Sequence, residues 1–142
     1  MGIIPTPNYS AGDQCTSCFG IGKTFGDVPT PARIKVVFSG MESCPGKGGP
    51  TGGTFILEQG IDPCYYHYGL PDGTTVYVNF FDISGGGEYT GVYWGGSGIN
   101  YFNGITSKCS TEVGNEFTLG ACSLDDTGSY GGSAEIFWGP EI

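Results

Sequence analysis

The chain is poor in charge, and poorest in positive charge. Five lysines and arginines face 14 aspartates and glutamates in 142 residues, giving a formal net charge of −9. Charged side chains make up 13% of the sequence, against the roughly 25% usual in soluble domains. So acidic a balance disfavours polyanions, and neither nucleic acid nor an anionic membrane surface is expected as a partner. No apolar run approaches the roughly 18 residues of a membrane-spanning helix. Leucine is confined to Leu57, Leu70, Leu119 and Leu124, and no sustained 3.6-residue apolar period exists, which argues against a helical bundle. Histidine occurs once, as His67. The opening residues Met1–Ser10 carry neither the cationic stretch nor the apolar core of a secretory leader.

Glycine and proline are abundant instead, with 28 and 9 residues. The 9 Tyr, 9 Phe and 2 Trp separate this chain from disordered glycine-rich sequences, which are poor in aromatics. Its length suits a single core. Short β-rich runs alternate with glycine clusters: Arg33–Ser39, Thr54–Gln59, Cys64–Tyr68, Thr75–Ile83, Glu88–Trp94, Ile99–Phe102, Ile105–Lys108, Glu116–Cys122 and Ser133–Trp138. In the first, Ile34, Val36 and Phe38 share one face. In the fourth, Val76, Val78 and Phe80 oppose Tyr77, Asn79 and Phe81. Pro71-Asp72-Gly73 predicts a hairpin turn before Thr75, and Asn103-Gly104 predicts a type I′ turn. The pattern predicts an all-β domain over 33–142, an antiparallel β-sandwich first and a small β-barrel second. Residues 1–32 contain no convincing element and read as an irregular N-terminal arm or loop. The 44–53 tract reads as a long loop inside the fold.

Six cysteines stand at 15, 18, 44, 64, 109 and 122. An even count suggests either three disulfides, with 15 connectivities open, or a thiolate metal site. Cys109 and Cys122 flank apparent strands, so a bridge between them is an attractive pairing. Cys15-Thr-Ser-Cys18 followed by Phe-Gly-Ile-Gly22 has the form of half a zinc knuckle, but a structural zinc needs two further ligands. Cys44 and Cys64 would each have to be recruited singly. Cys15 and Cys18 are therefore candidates for both disulfide and zinc.

Other motifs dissolve on inspection. The segment from Ser17 to Lys23-Thr24 approaches a phosphate loop, yet it lacks the first glycine and a preceding strand, and Pro29 and Pro31 follow where a helix must begin. Asp125-Asp126 reads as an acidic turn without a full calcium ligand set. His67, within Tyr65-Tyr66-His67-Tyr68, suits packing better than catalysis, because no Gly-x-Ser-x-Gly elbow offers a nucleophile. Glu58, Asp82, Glu88, Glu116 and Glu135 fall on strands or their edges, where alternation makes most of them solvent-facing rather than a hydrolytic pair. No enzyme is expected. Tyr89, Tyr93, Trp94, Tyr101 and Trp138 are the candidate binding residues, able to stack on sugar rings or to anchor a protein interface, or else simply to fill the core.

Three stretches considered together carry a family resemblance: Cys15-x-x-Cys18-Phe-Gly-x-Gly-Lys-Thr24, Pro31-x-x-Ile34-x-Val36-x-Phe38-Ser-Gly40, and Cys44 with Gly53-Thr-Phe-Ile-Leu-Glu-Gln59. Over about the first half, the chain resembles small cysteine- and glycine-rich virion proteins of tailed bacteriophages. That resemblance implies a capsid cement or decoration protein, or an accessory part of the tail or baseplate, and no active-site residue. On that expectation the partners are the major capsid or tail protein and further copies of the chain, while the aromatics leave a carbohydrate-binding, host-recognition module as the alternative. The resemblance also implies synthesis in the host cytoplasm and a working life in the virion. On that expectation, removing residues 1–32 leaves a folded core that no longer attaches to particles.

Overall fold

A computed structural model describes residues 10–19, 29–41, 52–83, 87–96, 99–106, 109 and 133–137. Among these described residues seven strands emerge: β1 (Arg33–Ser39), β2 (Gly53–Gln59), β3 (Tyr65–Gly69), β4 (Thr75–Ile83), β5 (Gly87–Gly96), β6 (Ile99–Thr106) and β7 (Ser133–Phe137). They form one antiparallel sheet in the order β6-β5-β4-β3-β2-β1-β7. The fold is all-β, as the alternation predicts.

The sheet is strongly curled. In a flat sheet β1 would lie about 19 Å from β5 and about 24 Å from β6, at roughly 4.8 Å per strand. Yet the ring of Phe38 on β1 sits 5.2 Å from Trp94 on β5 and 5.2 Å from Phe102 on β6. Phe55 on β2 likewise reaches Trp94 at 4.9 Å. The sheet therefore folds over on itself into a half-barrel. Its two walls, β6-β5-β4 and β2-β1-β7, face each other as in a sandwich, while hydrogen-bonded pairing continues between them as in a barrel. The bend falls at short β3, which pairs with β2 only through Glu58↔His67 and Gln59↔Tyr66.

Strict alternation fills the concave side. Ile34, Val36, Phe38, Leu57, Tyr66, Val76, Val78, Phe80, Val92, Phe102 and Ile136 are all essentially inaccessible. The Pro71–Gly73 turn forms as expected. Leu70 N–H donates to Thr74 O, Gly73 takes φ +90°, and Asp72 Oδ1 accepts from both the Thr74 amide and hydroxyl. That positive φ is a conformation glycine adopts without steric cost.

Residues 10–19 and 29–32 are irregular and do not stand away from the domain. They strap the concave side. Cys15, Cys18 and Phe19 are fully buried, and Phe19 packs edge-on against Phe80 at 5.2 Å. Tyr66 donates its hydroxyl to Pro31 O at 2.6 Å, and Cys15 N–H donates to Thr30 Oγ1. The Gln59 side chain clamps the strap, accepting from Asp13 N and donating to Asp13 O and Pro63 O. The apolar surface of Phe19 and the two cysteines supplies the reason: a half-barrel has an open mouth, and these side chains close it.

Two further expectations are corrected. Asn103-Gly104 is not a turn but part of β6, paired with Tyr93 and Val92. Gly104 is buried on the inner face opposite Val92, so ladder pairing with β5 overrides the local turn preference. Cys109 is bonded to Cys18, not to Cys122. Cys44, Cys122, the Glu116–Cys122 run, the 44–51 part of the loop, Lys23, Thr24, Asp125 and Asp126 lie outside the described residues.

Candidate functional site

The convex side of the sheet is where unusual chemistry collects. Because Val76, Val78 and Phe80 point inward, Tyr77, Asn79 and Phe81 point outward; on β5 the same parity turns Tyr89, Gly91 and Tyr93 outward. Strand register then lays these residues out in rows. One row runs His67↔Tyr77↔Tyr93↔Asn103 across β3, β4, β5 and β6. The next runs Tyr65↔Asn79↔Gly91↔Ile105. Beyond it, Phe81 pairs with Tyr89.

The rings lie side by side. Tyr77 and Tyr93 are stacked with centroids 5.0 Å apart, Phe81 and Tyr89 at 5.7 Å, and Tyr65 and His67 at 5.6 Å; Tyr65 meets Tyr77 at 5.2 Å. Between the first and third rows the run of rings is interrupted at Gly91, which has no side chain, while strand pairing continues through it. The result is a trough of about 360 Å³ with Gly91 in its lining, bordered by Tyr65, Tyr77, Tyr93 and Phe81, with Asn79, Asn103 and Ile105 completing it.

Among the described residues, no Asp, Glu, Lys or Arg side chain lines this trough. Burial, and secondarily the neighbouring Tyr77 phenol, raises the pKa of Tyr65; burial, and secondarily Tyr93, raises that of Tyr77. Both phenols therefore remain neutral at all physiological pH values and offer O–H donors beside aromatic surface. The trough combines apolar rings, neutral hydroxyls and amides.

The sequence-derived candidates divide between the two faces. Tyr89 and Tyr93 belong to the convex rows. Trp94 is 3% exposed, on the inner face, where its Nε1–H donates to Thr74 Oγ1 at 3.2 Å and Tyr101 packs edge-on against it at 5.5 Å. These two serve the core, and Trp138 lies outside the described residues. Sequence reasoning missed Tyr65, Tyr77, Asn79, Phe81, Gly91 and Asn103 as a group. The signal existed in the alternation of β4, but joining it to β5 and β6 requires the register.

Of the cysteines, Cys15 bonds to Cys64 and Cys18 to Cys109. The disulfide alternative is the one adopted, and Cys15 and Cys18 do not present a pair of thiolates to zinc. Glu88 differs from the other described strand carboxylates because it faces the strap. Its Oε2 accepts the Cys18 amide at 2.8 Å, and Oε1 lies 3.9 Å from Cys109 Sγ. The donor atoms of Cys18, Cys109 and Glu88 lie within 4.8 Å of one another, but the two sulfurs are spent on each other. Cys18 adopts φ +71°, a left-handed conformation costing a non-glycine residue about 1–2 kcal/mol. The disulfide, the buried Phe19 beside it and the Glu88 acceptor hold it there. Glu58, Asp82 and Glu135 are exposed, as expected of solvent-facing strand residues, and Glu116 lies outside the described residues. His67 stacks on Tyr65, a packing role.

No protein-family model, curated protein or solved structure matches this chain.

Proposed function

We propose that this protein is a non-enzymatic structural component of a bacteriophage particle, attached to the capsid shell or the tail as a cement, decoration or accessory subunit. The observation that carries the reading is the pair of disulfides fastening a buried strap across the mouth of the half-barrel. Such bonds persist where no cytosolic reductant acts, outside the cell, and a particle surface is such a place. The resemblance of the first half of the chain to phage virion proteins points the same way. A small domain whose core is buried and covalently strapped suits a part that must keep its shape on a released particle. The acidic balance suits the outside of a capsid better than its DNA-facing side.

The test is peptide mass spectrometry of purified particles of the encoding phage, denatured under alkylating, non-reducing conditions. Recovery of Cys15–Cys64 and Cys18–Cys109 linked peptides at a level comparable to known structural subunits supports the proposal. Finding the chain only in the soluble lysate, or with its thiols alkylated, overturns it.

A further inference from the structure

The convex trough has a property that particle attachment does not explain. Its lining is aromatic and amide-rich, it carries no charged side chain among the described residues, and a residue without a side chain interrupts the run of rings where the space opens. We infer that the trough over Gly91 is a binding site for a neutral sugar ring, either terminal or within an oligosaccharide.

Shape comes first. Tyr93 and Tyr89 are four residues apart on β5, so the rows to which they belong stand about 13 Å apart at roughly 3.3 Å per residue. The row between them loses its ring at Gly91, leaving a gap bounded by aromatic walls on two sides. Its volume of about 360 Å³ falls in the range of about 300–1,000 Å³ typical of small-molecule sites, and a mono- or disaccharide fits that scale.

Chemistry narrows the occupant. A pyranose ring has C–H groups that pack against aromatic rings and a rim of hydroxyls that both donate and accept. Tyr65, Tyr77 and Tyr93 supply the rings, and their phenol oxygens, with the amides of Asn79 and Asn103, supply matching donors and acceptors. An anionic ligand would find no cation in the described lining and a chain of net charge −9. A nucleic-acid base could stack on the same rings, but its phosphates would meet that acidic field. A neutral carbohydrate has the complementary charge, which is none.

Gly91 offers a clean test because it is an extended strand residue with room above it. A Cβ there would sit 3.5 Å from Phe81 Cε1 and 3.9 Å from Ile105 Cγ1, ordinary contact distances. Gly91→Leu therefore fills the trough without disturbing the ladder, and a strand gains rather than loses when glycine is replaced. The intact chain is screened on an array of neutral gluco-, galacto-, manno- and N-acetylglucosamine oligosaccharides, with sialylated and sulfated glycans alongside. The best ligand is then titrated by isothermal calorimetry. Binding to a neutral series is expected, weakened at least tenfold by Gly91→Leu, by Tyr93→Ala and by Asn103→Ala, with melting temperatures of the first and third close to the parent's. Tyr68→Ser, on the other side of the sheet beside Phe55, is expected to bind like the parent.

Absence of neutral binding at millimolar sugar, preference for the charged glycans, or binding that Gly91→Leu leaves intact would each overturn the inference. So would loss of particle attachment in Gly91→Leu without sugar binding, which would make the trough a protein-docking surface. Failure of the sugar test leaves the particle assignment standing, and the reverse also holds, because the two rest on different faces and different measurements.

Discussion

The two faces of the sheet are built from the same strands and both are rich in aromatics, yet their rings pack in opposite ways. On the concave face most pairs meet edge-on, Phe19–Phe80 at 89°, Tyr66–Phe80 at 86°, Phe55–Trp94 at 73° and Phe38–Phe102 at 67°, with Phe38–Trp94 tilted at 45° and Phe55–Tyr68 at 32°. On the convex face three pairs lie nearly parallel, Phe81–Tyr89 at 18°, Tyr65–His67 at 21° and Tyr77–Tyr93 at 22°, and Tyr65–Tyr77 is tilted at 43°. The concave rings converge from opposing walls and strap, so each fills space left by the others. The convex rings are neighbours along one strand or on adjacent strands, with nothing opposing them among the described residues. Three-dimensional packing makes a core, whereas one-dimensional stacking makes a surface. The difference predicts that stability resides in the first and recognition in the second.

The largest expected effect tests the strap. Each disulfide closes a loop, of 49 and 91 residues' separation, and loop-closure entropy assigns about 4 kcal/mol to each. Reduction, or Cys15→Ser with Cys18→Ser, is expected to leave the domain unfolded or barely folded, read as collapse of the thermal transition by circular dichroism. By the same argument, and against the sequence-based expectation of a folded core, removing residues 1–32 strips the buried Cys15, Cys18 and Phe19 and is expected to unfold the chain. A cooperative transition in that truncated chain would show the strap to be dispensable.

Next come single side chains on opposite faces. Phe38→Ala is expected to cost about 3–5 kcal/mol, as for large core truncations. Tyr93→Ala is expected to cost about 1 kcal/mol or less, the scale of a cross-strand pair. Equal losses in urea denaturation would erase the distinction between the faces. A smaller effect than that of Phe38→Ala is expected from Thr74→Val, which removes the acceptor of the buried Trp94 indole N–H and the hydroxyl held by Asp72. The cost is about 1–3 kcal/mol for an orphaned buried donor, with a shift in Trp fluorescence.

The smallest effects are those of pH, and they have opposite signs at the two ends of the scale. The folded pKa values of Tyr65 and Tyr77 lie above the free phenol value, chiefly through burial. Their contribution is therefore complete below about pH 10 and is lost as pH rises through the folded values. Absorbance at the phenolate band is expected to show tyrosines that ionise late, fewer of them in Tyr77→Phe. Asp72 is shifted down, first by the Thr74 hydroxyl and then by the Thr74 amide. Its contribution is complete above about pH 4 and is lost as pH falls through a lower folded value. Because the carboxylate is exposed, Asp72→Asn should flatten only the acid limb of the stability profile, and slightly.

Much of the fold was legible in the sequence because a sheet side chain obeys a period of two. The bounds of β1 and β4 follow directly from their runs, and the β3–β4 hairpin follows from Pro71-Asp72-Gly73. Curl was not legible. That Phe38 touches Phe102 depends on where the sheet bends, and the bend at β3 arises from a truncated ladder rather than a local motif. Asn103-Gly104 misled because turn chemistry is a local preference and β5 offered a better partner. The strap was missed because its buried residues have no period at all; only the sulfur bonds and the hydrogen bonds of Gln59 and Tyr66 declare it. The trough was half visible. Tyr93 and Tyr89 stood out as aromatics, but the gap at Gly91 is an absence, and it becomes a feature only when rows from four strands are aligned.

The covalent wiring of the strap also sets how the molecule bears load. A pull applied ahead of Cys15 is shared between the backbone and the two half-cystines, which carry it to Cys64, next to β3, and to Cys109, three residues beyond β6. The 91-residue separation between Cys18 and Cys109, about 300 Å of contour at 3.3 Å per residue, is locked out of extension while the bond is intact. A subunit tethered by its N-terminal end would behave as a short inextensible link rather than a spring, and would pass shear to whatever it grips.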